Sequence, residues 1–203
     1  MWRVRPYTLD DLEPLRAIQA ACFPPPFPES LWWSRDQLAS HVAVFPAGAL
    51  CAEGPGGILA GSATALVVRF DPAHPQHTWA EVCDHGFIRT HDPAGDTLYG
   101  IDVAVRPEFR GHGVARALYE ARFALVRRIG LRRFVAGSRL SGYGRHADRL
   151  SPEAYAAEVV AGRLCDPVVT PQLHLGLRPG AVIRGYLSDE DSRDCALLME
   201  WTP

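Results

Sequence analysis

"VRPEFRGHGVARALYEARFALVRRIG", residues 105–130, decides the fold. An apolar run ends at Val105, Arg106-Pro107 breaks it, and Gly111 and Gly113 precede a long helical pattern. Val114, Ala117, Leu118, Ala121, Leu125 and Ile129 recur at spacings of three and four, which places them on one helix face. Arg127 and Arg128 suit the negative end of the helix dipole, and Gly130 suits its C-terminal cap. The start is unusual. Arg110-Gly111-His112-Gly113 offers no aspartate, serine or threonine to cap the first amides. The helix therefore opens with unsatisfied N–H groups and a partial positive charge. Glycines without side chains let an outside group approach that backbone. An anion, above all a phosphate, is its natural partner. A simple bend, with the glycines serving only the turn, is the plainer alternative.

Two phosphate-binding patterns fail here. A dinucleotide-binding fingerprint needs a third glycine where Arg116 stands and an acidic residue where Arg133 stands. The lysine-dependent nucleotide loop is excluded, because all 21 basic residues are arginine.

Composition bounds the rest. The 203 residues suffice for one ordinary domain with a substantial core, and 47% hydrophobic with 22% charged residues is the balance of a soluble globular protein. A net charge of −2 provides no global basic field for nucleic acid. The opening MWRVRPYTLDDLEPL has no long apolar stretch, so neither a signal peptide nor a membrane span is expected. Cys22, Cys51, Cys83, Cys165 and Cys195 are odd in number and form no CxxC pair, a pattern expected of reduced thiols in a cytoplasm. Arginine with abundant Ala, Gly and Pro suggests a GC-rich, bacterial genome.

Along the chain, residues 2–6 predict a short strand and Asp11–Cys22 a helix with Pro14 in its first turn. A proline-rich aromatic loop, 22–33, leads to a second helix over Ser34–Val44. Residues 49–70 read as two strands about a turn at 53–57, and 71–96 as a long polar loop. A strand over 98–105 precedes the opening motif, and a buried strand over 132–137 follows it. Ser151-Pro152 starts a helix reaching about Gly162, 168–177 gives one or two helical turns, and 181–187 with 195–201 form a closing hairpin.

Arg110, Gly113 and Ala115 satisfy the pattern Arg/Gln-x-x-Gly-x-Gly/Ala, placed after a strand that ends Val103-Ala104-Val105. This arrangement resembles the acetyl-CoA site of the GCN5-related N-acetyltransferase (GNAT) superfamily, and the order of the segments agrees over most of the chain. Residues 137–173 further resemble acetyltransferase modules that some bacterial proteins carry fused to a nitrilase-like domain; with the chain ending at Pro203, one domain over 1–203 is expected. The resemblance implies an α/β GNAT fold, with a mixed, mostly antiparallel sheet splayed at the acetyl-CoA site and flanked by helices. It implies an N-acetyltransferase using acetyl-CoA as co-substrate. The backbone of Val103, Ala104 and Val105 would pair with the pantetheine arm. The segment Gly111, His112, Gly113, Val114, Ala115 and Arg116 would hold the pyrophosphate, with charge added by Arg110 and Arg116. The acceptor is an amine, either a small molecule or one on a peptide or protein. Nucleic acid and membrane are excluded as partners, and a homodimer is admitted. A non-catalytic CoA-binding or sensing module is the alternative, and a nucleotide-binding α/β protein a more distant one.

An ammonium acceptor must lose a proton before it attacks a thioester. Asp102, an acid within an otherwise apolar strand, is the candidate base, acting directly or through a water; its plainer reading is a solvated or arginine-paired carboxylate. A backbone N–H of the motif strand would steady the oxyanion. Many family members place a tyrosine acid in the late helix before a Leu-Gly-Phe-like ending. Here Leu175-Gly176-Leu177 is the ending, and Gln172 falls about where the tyrosine belongs. Tyr143 is the candidate substitute, with His146 and His174 as alternatives.

Two clusters remain. His74, His77, Cys83, His85 and His91 match no standard zinc spacing, so no metal is expected, and the 71–96 loop is assigned to the substrate side or to an interface. Phe23, Phe27, Trp32 and Trp33 are either core plugs or the wall of an aromatic acceptor pocket.

Overall fold

The computed structural model describes residues 2–24, 29 and 32–203. Seven strands form one sheet in the order β1-β2-β3-β4-β5-β7-β6. They are β1 (Arg3–Pro6), β2 (Ala49–Glu53), β3 (Leu59–Val68), β4 (Thr97–Val105), β5 (Arg133–Arg139), β6 (Arg178–Ile183) and β7 (Ala196–Trp201). Among the described residues, six α-helices accompany them: α1 (Leu12–Cys22), α2 (Arg35–Val44), α3 (Trp79–Cys83), α4 (Val114–Arg128), α5 (Pro152–Val160) and α6 (Val169–His174). Every pairing is antiparallel except β4 with β5, the two strands joined through α4. The expected GNAT architecture, a mixed and mostly antiparallel sheet with flanking helices, is the one observed.

Successive strand residues point to opposite faces, and the core divides accordingly. Leu66, Val68, Tyr99, Ile101 and Leu198 pack with Leu15 and Ile18 of α1 and Leu38 of α2. Their neighbours Ala65, Val67, Leu98, Leu197 and Met199 pack with Tyr119, Phe123 and Val126 of α4 and with Tyr155 and Val159 of α5. Both faces of β3 are covered, so all ten of its residues are buried. Each large apolar side chain so enclosed contributes about 1.5–3 kcal/mol. The sheet is thus a rigid plate held from two sides, and the site lies where that plate opens.

The opening has a plain cause. β4 and β5 pair only from Thr97–Arg133 to Gly100–Ala136. Beyond that point β4 remains bonded to β3 as far as Val105, while β5 turns to β7 as far as Arg139. The β3–β4 register also slips: Ala65 faces Gly100 but Thr64 faces Asp102, so Ile101 has no partner on β3. Such a bulge bends its strand and re-aims the side chains beside it.

Several boundaries differ from those read in the sequence. The 71–96 segment is not featureless; Thr78 caps α3 by accepting from the Glu81 amide at 3.1 Å, and Cys83 and Ile88 are fully buried. β6 begins at Arg178 rather than 181, because Pro179 pairs with Met199 before a bulge shifts the register to Val182–Leu197. The buried face of α4 is broader than predicted. Tyr119, Arg122, Phe123 and Val126 are inside, while Ile129 lies just past the helix, at its C-cap, and is exposed.

The long connection after β5 is organised by a single carboxylate. Asp166 accepts from the amides of Gly142, Val168 and Val169 at 2.9, 2.8 and 2.9 Å and from the Tyr155 hydroxyl at 3.0 Å. It thereby fixes α6 against α5, which the Ser151 side chain caps at the Ala154 amide.

Candidate active site

The mouth of α4 is built from backbone. Gly111 and Gly113 adopt φ of 77° and 81°, the left-handed region that favours glycine. A Cβ at either position would meet nothing within 4 Å, so the space above both is open. No side chain caps the helix, and the first amide to close on it is that of Ala117, onto the Gly113 carbonyl at 3.0 Å. The amides of Val114, Ala115 and Arg116 thus have no partner within the helix. Trp2 steadies the loop, donating from Nε1 to the His112 carbonyl at 2.7 Å and packing edge-on against Phe109. His112 Nδ1 bonds the Arg110 carbonyl at 2.9 Å, and Arg110 Nε donates to the Val105 carbonyl at 3.3 Å. That arginine therefore ties the loop to the end of β4 while staying exposed. Val103, Ala104 and Val105 lie on the length of β4 that β5 has left, so their backbone faces the opening. An anionic, extended group such as the pyrophosphate and pantetheine of a CoA thioester fits this cradle: open left-handed glycines, uncapped amides and a free strand edge.

Behind the opening lies a cavity of about 160 Å³, reached between β4 and β5. Asp102 stands in its wall just past the bulge. Its carboxylate accepts from Trp33 Nε1 at 3.2 Å and from Gln19 Nε2 at 3.3 Å. Enclosure by protein pushes this carboxyl up to about 6; the Trp33 bond and the Arg122 charge restrain the rise. A carboxylate with that proton affinity is ionised at neutral pH yet accepts a proton far more readily than a surface aspartate. Trp33 stacks on Trp79 with centroids 5.8 Å apart, and both rings line the cavity. Trp79 Nε1 donates to the Ile101 carbonyl at 3.1 Å, a backbone group the bulge leaves without a β3 partner.

Polar side chains from four elements surround the far wall. Gln172 of α6 donates to the Tyr119 hydroxyl of α4 at 2.7 Å and accepts from Ser138 of β5 at 2.6 Å. Arg122 of α4 reaches into the sheet, where Nη2 donates to the Thr64 carbonyl at 2.8 Å and also to the Asp102 carbonyl. Tyr186 packs on Gly137, where any Cβ would fall 2.4 Å from its ring. Its hydroxyl meets that of Tyr99 at 3.2 Å, which in turn donates to His77 Nε2 at 2.6 Å.

The structure thus brings Asp102, Trp33, Phe23 and Gln172 into one cavity. Trp32 instead bonds the Phe23 carbonyl through Nε1 at 2.9 Å, and Phe27 lies outside the described residues. Tyr143 is not brought there. Its hydroxyl donates to the Leu150 carbonyl at 3.1 Å, and its ring packs on Tyr155 among the α5 contacts. His146 packs on the same Tyr155 and His174 is exposed at the end of α6. The histidines of the 71–96 segment are dispersed: His77 bonds Tyr99, His91 accepts from the Val67 amide at 3.0 Å, and His74 pairs with Asp71. Among the described residues, no group of three or more His, Cys, Asp or Glu is arranged to hold a metal ion. Sequence reasoning missed Arg122, Tyr119, Trp79 and Tyr186. Only Arg122 left a trace there, a charge spaced i, i+4 from Leu118 on the apolar face of the helix.

A parallel strand pair splayed past a bulge, with an uncapped glycine-rich helix start beside the gap, defines an acyl-CoA-binding GNAT fold. The family model described as Acetyltransferase (GNAT) family matches residues 12–143, and the chain belongs to that family. It is 44% identical over 198 residues to "Uncharacterized N-acetyltransferase YkwB" of Bacillus subtilis (strain 168), covering 98% of this chain and 87% of that protein. These two matches support an N-acetyltransferase. It is also 36% identical over 192 residues to "Probable hydrolase YhcX" of the same organism, and spans only 36% of that protein's length. Among solved structures, "GphF GNAT-like decarboxylase in complex with isobutyryl-CoA" superimposes with a TM-score of 0.81 at 29% identity, covering 98% of both chains. That likeness supports the use of a CoA thioester.

Proposed function

We propose that the protein is an acetyl-CoA-dependent N-acetyltransferase that moves the acetyl group directly to an amine. The observation that carries this reading is Asp102, a partly buried carboxylate pushed up to about 6 in the cavity wall beside the free edge of β4. The amides of Gly111–Arg116 would hold the pyrophosphate and the backbone of Val103–Val105 the pantetheine arm. Acetyl-CoA supplies an acetyl group activated as a thioester. Asp102 takes the proton that the amine must lose, and a backbone N–H of β4 steadies the oxyanion. Trp33, Trp79 and Phe23 give the acceptor an apolar wall, so a small amine or the end of a peptide suits the cavity. A non-catalytic CoA-binding module would have no use for such a base. We assign the chain to the cytoplasm on its five cysteines, odd in number and without a CxxC pair. The partial coverage of the B. subtilis hydrolase supports kinship with acetyltransferase modules fused to nitrilase-like domains.

One observation favours a second reading. The backbone matches the GphF decarboxylase with a TM-score of 0.81, against 0.57 for the ribosomal-protein-S18-alanine N-acetyltransferase of Escherichia coli. A decarboxylase acting on a carboxyacyl thioester would use the same cradle without an amine. A turnover screen separates the two. Acetyl-CoA is offered with small amines, amino-acid amides and peptide termini while free thiol is followed, and malonyl-CoA is offered alone while carbon dioxide is followed. Amine-dependent thiol release is expected; carbon dioxide release with no amine acetylated would overturn the transferase reading.

A further inference from the structure

We propose that Arg122 serves as the counter-ion of the coenzyme A thiolate as it leaves, so that transfer needs no proton donor at sulfur; this rests on the acetyl-transfer reading above.

A fully enclosed guanidinium is costly unless an anion accompanies it. Arg122 is 1% exposed, and among the described residues its hydrogen bonds go to backbone carbonyls and none to a carboxylate. What holds it is neutral. Nη2 serves the carbonyls of Thr64 and Asp102, and the guanidinium lies 5.5 Å from the ring centroids of Tyr119 and Phe134. Its Nε is buried with no hydrogen-bond partner. The Asp102 carboxylate lies within electrostatic reach but forms no ion pair with it: Oδ2 accepts from Trp33 and Gln19, and it is the Asp102 backbone oxygen that accepts from Arg122.

The position of this cation fits a transient anion. Arg122 lines the cavity, and its Nη1 would lie 3.4 Å from a Cβ at Gly100, the last β4 residue paired to β5. It thus sits at the root of the splay, where the thioester end of a ligand laid along Val103–Val105 must stop. The usual proton source is missing as well. Gln172 occupies the place where the resemblance puts a tyrosine, and an amide does not give up a proton near neutral pH. Burial raises the nearby Tyr119 hydroxyl above its ordinary range, making it a poorer acid. The other titratable groups that act on Arg122 are Asp102 and Tyr7; Tyr7 is held neutral by burial, and the Asp102 carboxylate makes no ion pair with the guanidinium.

The step balances without further reactants. The amine nitrogen forms the C–N bond as the C–S bond breaks. Sulfur leaves with the bonding pair as a thiolate facing Arg122, and the proton shed by nitrogen passes to Asp102. Fixed cations are known to draw thiol ionisation down from about 8.5 into the range of about 3.5–7.5.

The test follows the thiol of CoA bound to the enzyme, with no acceptor present. Thiolate ultraviolet absorbance is titrated against pH, with the S-methyl-CoA complex as the blank for the protein's own tyrosines and cysteines. Bound CoA is expected to ionise at least one pH unit below free CoA, about a tenfold larger thiolate fraction in the range where the free thiol is protonated. Arg122→Gln should return the titration to that of free CoA, and Arg122→Lys should keep most of the shift. Should Arg122→Gln not fold by circular dichroism, the wild-type titration alone decides. A bound thiol that ionises with free CoA, or a shift that survives Arg122→Gln, overturns the proposal and leaves the transferase reading standing. Absence of CoA binding by calorimetry removes both at once.

Discussion

Two regions of this protein face the same opening and are made of different material. The mouth of α4 is exposed and built from backbone amides and two open left-handed glycines. The cavity behind it is partly open and built from residues of α1, α3, α4, α6, β4, β5, the segment before α2 and the segment between β6 and β7. On the proposed function, the first grips the phosphates of the ligand, and the second sets which protons move and what fits. Affinity for the CoA moiety and chemistry at the acyl group should therefore be separable by mutation.

The largest expected effect tests the chemical half. Asp102→Asn should lower turnover by about 100-fold or more on any acceptor found, the usual scale for a lost general base, with CoA affinity by calorimetry nearly unchanged. If turnover survives, Asp102 is not the base and the cavity's role must be redrawn. The same substitution should lose CoA affinity only if the two regions are not separate.

The binding half is tested by a pair of glycines on one helix. Gly113→Val should weaken CoA binding by roughly 100-fold, because one or more charge-assisted hydrogen bonds of about 1.5–3 kcal/mol are blocked. Gly130→Val, at φ 71° with the same open surroundings at the other end, carries the same backbone strain of about 1–2 kcal/mol. Its CoA affinity should stay within about twofold. Equal losses from both would mean that strain, not blocked approach, explains Gly113.

Protonation sharpens the contrast further. With its carboxyl at about 6, Asp102 should lose base function as pH falls through 6, so kcat/KM drops on the acid side and Asp102→Asn flattens that limb. Stability runs the other way. A raised folded-state pKa makes the ionised, partly buried carboxylate a liability that grows from about pH 4 to about pH 6. Asp102→Asn should hence raise the melting temperature at pH 7, by a gain on the order of 1–3 kcal/mol that vanishes below about pH 4. His41 acts oppositely over nearly the same window. Its Nε2–H donates to the Gly86 carbonyl at 2.6 Å and Nδ1 accepts from the Tyr7 hydroxyl at 2.8 Å, and burial pulls it down to about 4. The unfolded chain binds that proton first, so the His41 contribution is lost as pH falls from about 6.5 to 4. Acid melting of Asp102→Asn should be steeper than that of the wild type, since the His41 slope is no longer offset by Asp102.

The smallest effect marks the boundary of both regions. Ser151→Ala removes the cap of α5 and should cost about 1 kcal/mol by denaturant melting. CoA affinity should not change.

The sequence by itself determined the form of the α4 mouth. A left-handed glycine pair, an uncapped helix start and the apolar strand before them are local features, and their physics depends on neighbours within a few residues. The strand and helix order followed from periodicity for the same reason, and the resemblance carried by Arg110, Gly113 and Ala115 named the family. Asp102 was legible because a charge inside an apolar strand is conspicuous. Tyr143 could be named as an acid but not placed, since nothing local says where a loop hydroxyl points; its bond to Leu150 is a tertiary fact. Only the tertiary structure decided the cavity. The bulge at Ile101, the end of β4–β5 pairing at Gly100 and the convergence of Gln19, Trp33, Trp79, Arg122 and Gln172 depend on contacts between residues up to about 150 positions apart. A side chain's proton affinity is set by what encloses it, and enclosure is the one property a linear sequence does not carry.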